Sequence, residues 1–181
     1  MINLTCDNPI LLNNIENGKF DWNKLESPYL IFNDIGFDLL VDGVKVVRYR
    51  VIFERVNTFA TGITSAEIQY ENLFFESDDY ELKEKYLGKG YTKKGLKLIC
   101  DYLLKKCNIP YIHADISEDN TISQMVATSC EFINGNLYHP NARDLYQKAL
   151  GDKYSKENIK NLMHHFDLQY ENTLSNSQKK R

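Results

Sequence analysis

A chain of 181 residues with 43% hydrophobic residues and a net charge of −3 has the size and composition of one globular domain with a sizeable core. The charge gives no general pull towards nucleic acid or an anionic membrane, and no apolar run approaches the ~18 residues of a membrane span. Asp7, Glu16 and Asp21 lie where a cleaved signal would be apolar, and the four cysteines fit a reducing, cytoplasmic setting.

Residues 1–26 are polar, with Pro9 and Gly18 as breakers. Leu11, Leu12 and Ile15 suit a short helix there, and Phe20 and Trp22 suit docking on a core. Next, two apolar runs, Gly36 to Val41 and Val44 to Phe53, flank Asp42-Gly43, which predicts a hairpin. Residues 64–75 (TSAEIQYENLFF) alternate Ala66, Ile68 and Tyr70 against Glu67, Gln69 and Glu71, the period of a strand. Residues 76–81 are acidic and read as a solvated loop, with the run 80–82 an alternative central strand.

From Gly90 the period becomes helical, with Leu96, Ile99, Cys100, Leu103 and Cys107 on one face, Lys105 and Lys106 near the end and Pro110 as the stop. On such a helix Cys100 and Cys107 stand about 10 Å apart, too far for a disulfide. Residues 111–116 predict a strand, and about 120–130 a helix burying Ile122, Val126 and Cys130; 132–138 read as another strand. Residues 142–150 read as a helix ended by Gly151, and Ser155 caps a further helix through Phe166 before a frayed 175–181. The chain divides into an N-terminal segment (1–26), a core (85–138) and a helical C-terminal extension (139–181) of one domain, 1–181. Its class is α/β (α+β).

The densest chemistry lies in Lys85-Tyr86-Leu87-Gly88-Lys89-Gly90-Tyr91. Two glycines straddling a lysine ahead of a helix let the backbone approach a phosphate, and the first helical amides lack partners of their own. Asn120 is a fitting N-cap for the second helix, and Ser123 lies one turn inside it. His113, His139 and His164-His165 have no metal-ligand spacing, so no metal is expected.

The run from Tyr86 to Leu104, with Asn120-x-x-Ser123-x-x-Val126-Ala127 and Phe132 behind it, resembles the GNAT superfamily of N-acetyltransferases. The nearest likeness is to the subgroup that acetylates ribosomal-protein N-termini. The resemblance is firm over residues 85–138 and implies a GNAT acyl-CoA N-acyltransferase fold, with a central, mostly antiparallel mixed sheet flanked by helices. It implies that Lys85, Tyr86, Leu87, Gly88, Lys89, Gly90 and Tyr91 hold the diphosphate of acetyl-CoA, with Lys93 or Lys94 reaching its phosphates. Asn120 would bond the pantetheine arm, and Ser123 would lie near the thioester sulfur and protonate the leaving thiolate. A backbone amide on the preceding strand would polarise the carbonyl, and Glu67 and Glu71 are the candidates to take the amine's proton.

The implied acceptor is a primary amine: a protein N-terminus, a lysine or a small amine such as a polyamine or aminoglycoside. Glu76, Asp78, Asp79, Glu81 and Glu84 would give it an acidic rim. Nucleic acid and membrane are not expected partners, and a homodimer is compatible with the chain. The sequence departs from the family at Ala127, where many members carry a tyrosine acid, and at Glu131, where glycine is usual. These departures motivate a competing expectation, a catalytically weak module that binds an acyl-CoA or a protein partner.

Overall fold

The computed structural model describes residues 1–18, 34–55, 64–109, 111–117, 119–134 and 144–149. They form a seven-stranded sheet with helices packed on one face. In chain order the elements are β1 (Ile2–Cys6), α1 (Pro9–Glu16), β2 (Asp34–Val41), β3 (Val44–Arg55), β4 (Thr64–Asn72), α2 (Tyr80–Tyr86), α3 (Tyr91–Lys105), β5 (Tyr111–Ile116), α4 (Thr121–Ser129), β6 (Ile133–Asn134) and β7 (Asp144–Ala149). The sheet order is β1-β2-β3-β4-β5-β7-β6, and every pairing is antiparallel except β4 with β5.

The hairpin is built as its Asp-Gly pair demands. Asp42 and Gly43 both have positive φ, 49° and 83°, as a two-residue turn matched to strand twist requires. Period-two alternation then gathers one apolar face. Ile35, Phe37 and Leu39 of β2 lie beside Val47, Tyr49 and Val51 of β3, next to Ala66 and Ile68 of β4, and all are buried. Leu96, Ile99, Cys100 and Leu103 of α3 close the core from above. The opposite face is polar there: Asp34 pairs with Arg50, and Asp38 with Lys45 and Arg48.

Several elements differ from expectation. Residues 144–149 are a strand, not a helix: Leu, Gln, Lys and Ala favour helix locally, but six-residue pairing with β5 outweighs that preference. Residues 80–86 are neither loop nor strand but a helix, started by Asp79, whose carboxylate accepts from the amides of Glu81 and Leu82. The strand expected over 64–75 ends at Asn72, where residues 73–76 turn. Cys107 lies past the end of α3, although it is buried as expected, and the four cysteines are free thiols. Ile122 is not core but 59% exposed; Ala127 takes the buried position on α4. β1 went unforeseen because it is a five-residue edge strand with one side open. The strand expected over 132–138 is described only at Ile133–Asn134. Phe20, Trp22, Pro110, His139, Gly151, His164, His165, the helix from Ser155 and the tail 175–181 lie outside the described residues.

Candidate active site

The sheet parts at its one parallel junction. β4 and β5 pair only through Ser65 to Glu67 against Tyr111 to His113. Beyond that point β4 continues to Asn72 and β5 to Ile116 without pairing to each other. The amide of Leu73 donates to the carbonyl of Val46 at 2.8 Å, so by alternation the odd residues of β4 bond to β3. The amides of Ile68 and Tyr70 are therefore directed at the gap. A cleft of about 280 Å³ occupies the gap, bordered by Gln69, Tyr70, Asp115, Ser117, Asn120 and Ser123. A larger one of about 420 Å³ adjoins it through Tyr70, Asn120 and Ser123 and extends to Phe75, Thr92 and Ile122.

The glycine turn between α2 and α3 opens onto this region at Thr92. Gly88 and Gly90 have φ of 70° and 76°, and a Cβ at either would meet nothing within 4 Å. Glycine is thus needed for backbone shape and not for space. Among the described residues the amides of 88–93 donate to no group of the chain, and Gly90, the N-cap of α3, has no side chain to satisfy them. Instead, the turn is held at both ends. Asn72 Nδ2 donates to the carbonyl of Tyr86 at 3.2 Å, and the Tyr86 ring stacks on Phe74 at 4.5 Å. At the other end the Tyr49 hydroxyl donates to the carbonyl of Thr92 at 2.7 Å. Burial pushes the Tyr49 phenol well above its usual range, so it remains a donor. Lys85, Lys89, Lys93 and Lys94 are all exposed around the turn.

On α4, Asn120 Oδ1 accepts from the Ser123 amide at 3.1 Å, the N-cap bond expected of it. That bond uses the oxygen and leaves Nδ2 as the remaining donor. Ser123 is half-buried and lines both clefts, while its carbonyl accepts from the Tyr70 hydroxyl at 2.8 Å. The helix ends in a six-to-one turn: Phe132 N–H donates to Ala127 and Glu131 N–H to Thr128, with Glu131 at a φ of 69°. Glu131 therefore occupies the left-handed conformation that a glycine would take without strain.

Glu67 and Glu71 are not brought together at the gap. Both lie on the polar face of β4, opposite Tyr70; Glu71 is exposed and lines the larger cleft, whereas Glu67 borders neither cleft and lies 3.4 Å from Gln69 Nε2. Asp115 does border the smaller cleft, 3.9 Å from the buried His113. Sequence reasoning did not single out Asp115 or Tyr70. The signal for Asp115 was available, since it interrupts the apolar run YIHADI; nothing local marks Tyr70 among twelve tyrosines. No three side chains among the described residues gather as a metal site, and no described helix is long and apolar enough to cross a membrane.

A mixed sheet split between two parallel strands, with a glycine turn feeding a helix beside the split, is the frame expected of an acyl-CoA N-acyltransferase. Residues 49–133, from within β3 to β6, match the family model of the acetyltransferase (GNAT) domain. Two solved structures share the fold over most of their length. Spermidine N-acetyltransferase from Vibrio cholerae is 14% identical, with a TM-score of 0.51 over 84% of this chain and 95% of that one. The N-acetyltransferase PseH from Campylobacter jejuni is 13% identical, with a TM-score of 0.50 over 82% and 97%. Ribosomal-protein-S5-alanine acetyltransferase from Vibrio fischeri is 18% identical over 76% of this chain and 73% of that one, with a TM-score of 0.46. No curated protein gives a significant sequence match.

Proposed function

We propose that the chain transfers the acetyl group of acetyl-CoA to a primary amine by direct attack, within a single domain spanning 1–181. The observation that carries this reading is the combination of open amides at 88–93 with the unpaired stretch between β4 and β5. The amides of Gly88, Lys89, Gly90 and Tyr91 would grip the diphosphate, with Lys89 or Lys93 adding charge. The amides of Lys85, Tyr86 and Leu87, expected to join them, are not open, since Lys85 and Tyr86 lie within α2 and Leu87 N–H donates to the Lys83 carbonyl at 2.8 Å. The pantetheine arm would run past Asn120 Nδ2 into the gap. There the amide of Ile68 or Tyr70 would polarise the thioester carbonyl. The amine nitrogen forms its bond to that carbon, the C–S bond breaks, and the thiolate takes a proton through the Ser123 hydroxyl, which would recover its own from water in the same step. A thiol of pKa near 8.5 needs only modest help in leaving. The amine's proton passes to a carboxylate directly or through water; Glu71 and Glu67 were the expected groups, and Asp115 borders the gap more closely than Glu67.

Glu71 and Glu76 line the larger cleft and suit a cationic acceptor: a protein N-terminus, a lysine or a small amine. The test is a free-thiol assay with acetyl-CoA over a panel of peptides, polyamines and aminoglycosides, beside calorimetric titration of acetyl-CoA. Saturable binding with thiol release on at least one acceptor supports the enzyme. Absence of binding at millimolar acetyl-CoA overturns it. Ala127, fully buried where many family members carry a tyrosine acid, favours a second reading, an acyl-CoA-binding module of weak activity. Binding without thiol release on any acceptor would support that one.

A further inference from the structure

Tyr49 and Tyr70 face each other across β3 and β4, with ring centroids 6.5 Å apart. Their hydroxyls diverge. Tyr49 reaches up to the first turn of α3 and donates to Thr92 at 2.7 Å, with Tyr91 O at 3.3 Å; Tyr70 reaches the first turn of α4 and donates to Ser123 at 2.8 Å. α3 rests directly on Tyr49, because a Cβ at Gly95 would lie 2.1 Å from the Tyr49 hydroxyl. We propose that this cross-strand tyrosine pair is a positioning device for the acyl-donor site: each hydroxyl anchors one of the two helix starts that flank the cleft, so the sheet sets the spacing between the glycine turn and the Asn120–Ser123 turn.

The chemistry fits a spacer. A thioester whose diphosphate is held at one helix start and whose arm is held at the other is placed by the distance between them, and a misplacement of about 1 Å costs up to 100-fold in rate. Both carbonyls belong to first helical turns, which no preceding turn holds in place. A buried tyrosine supplies a rigid reach with two torsions and a donor at its tip. The Tyr49 hydroxyl acts on the diphosphate end and the Tyr70 hydroxyl on the pantetheine end; neither side chain is assigned contact with the reacting atoms.

This rests on the acetyl-CoA reading above, and the test separates the two. Tyr49→Phe and Tyr70→Phe are each titrated calorimetrically with acetyl-CoA and with 3′-phosphoadenosine diphosphate, the fragment that lacks pantetheine. Amide hydrogen exchange over segments 91–97 and 120–126 is followed in parallel. Tyr70→Phe is expected to weaken acetyl-CoA about fivefold, the loss of one hydrogen bond, to leave the fragment unchanged, and to speed exchange only in 120–126. Tyr49→Phe is expected to weaken both ligands and to speed exchange only in 91–97. Equal loss on both ligands for both variants, faster exchange throughout, or no change in either variant overturns the inference while the function stands. Failure of the wild-type protein to bind acetyl-CoA overturns both.

Discussion

Gly95→Ala is the substitution whose sign best distinguishes a helix resting on Tyr49 from a helix lying freely on the sheet. In an open helix the change would stabilise by about 1 kcal/mol through backbone entropy and helix propensity. Here the new Cβ would stand 2.1 Å from Tyr49 Oη, 2.5 Å from Cζ and 2.7 Å from Cε2. Tyr49 is fully buried, and its hydroxyl is held by Thr92, so the ring has nowhere to swing. Restoring contact at ordinary separation moves α3 or the ring by more than about 1 Å. Overpacking of that kind costs about 1–3 kcal/mol, and loss of the Tyr49 bond adds about 1 kcal/mol. After the propensity gain, the net is a destabilisation of roughly 1–3 kcal/mol, a fall in midpoint of roughly 3–10 °C for a domain of this size. Urea and thermal unfolding read it, with the m-value unchanged. Adding Tyr49→Phe should recover part of the loss, because it removes the nearest atom, and the pair should be non-additive. A Gly95→Ala protein as stable as the parent, or more stable, refutes the packing argument.

Gly90→Ala forces a Cβ into the left-handed conformation at φ 76° and should cost about 1 kcal/mol in urea unfolding while also weakening acetyl-CoA in calorimetry. Asn120→Ala should lose the cap, about 1 kcal/mol, whereas Asn120→Asp keeps an oxygen for the Ser123 amide and should hold its midpoint yet still bind acetyl-CoA more weakly, having lost Nδ2. Glu131→Gly relieves a left-handed residue in the turn after α4 and should raise stability by about 0.5–1 kcal/mol, read as a higher urea midpoint. Burial raises the Cys107 thiol to about 11 from its reference of 9.0, so its contribution is intact below pH 9 and is lost as pH rises towards 11. The urea midpoint of the parent should therefore fall more steeply between pH 9 and 11 than that of Cys107→Ala.

What could be read from the sequence was whatever a few neighbouring residues decide. Asp42-Gly43 dictates its turn because both positions take positive φ, and Ala66, Ile68 and Tyr70 declare a strand because every second residue faces the core. Gly88 and Gly90 were legible for the same reason. What was hidden depends on partners distant in the chain. Residues 144–149 have helix-forming composition, and pairing with β5, some thirty positions earlier, and with β6 makes them a strand. The resemblance called for a strand carrying the carbonyl-polarising amide, but its register stayed open because the separation of β4 from β5 is a property of two strands joined through α2 and α3. For the same reason Glu67 and Glu71 could be put on one face but not told to be the polar one, and Tyr70 looked like any other core aromatic.

The open amides of the glycine turn raise a structural problem that the surrounding side chains answer. A turn whose own amides bond to none of the described residues has little to fix its shape, and Gly88 and Gly90 leave its backbone freer still. Stiffness has to come from outside. Asn72 and Phe74 hold its entry at Tyr86, and Tyr49 holds its exit at Thr92. Every one of those anchors belongs to β3, to β4 or to the turn that ends β4, and β4 also directs amides at the gap. In the proposed reading β4 would thus serve both the diphosphate end and the thioester end of a bound donor, so a change under the turn should be felt in the gap. By that coupling Asn72, which lines the larger cleft but spends its Nδ2 on Tyr86, should behave in Asn72→Ala like a binding residue: the turn keeps its glycines but loses the anchor that aims them.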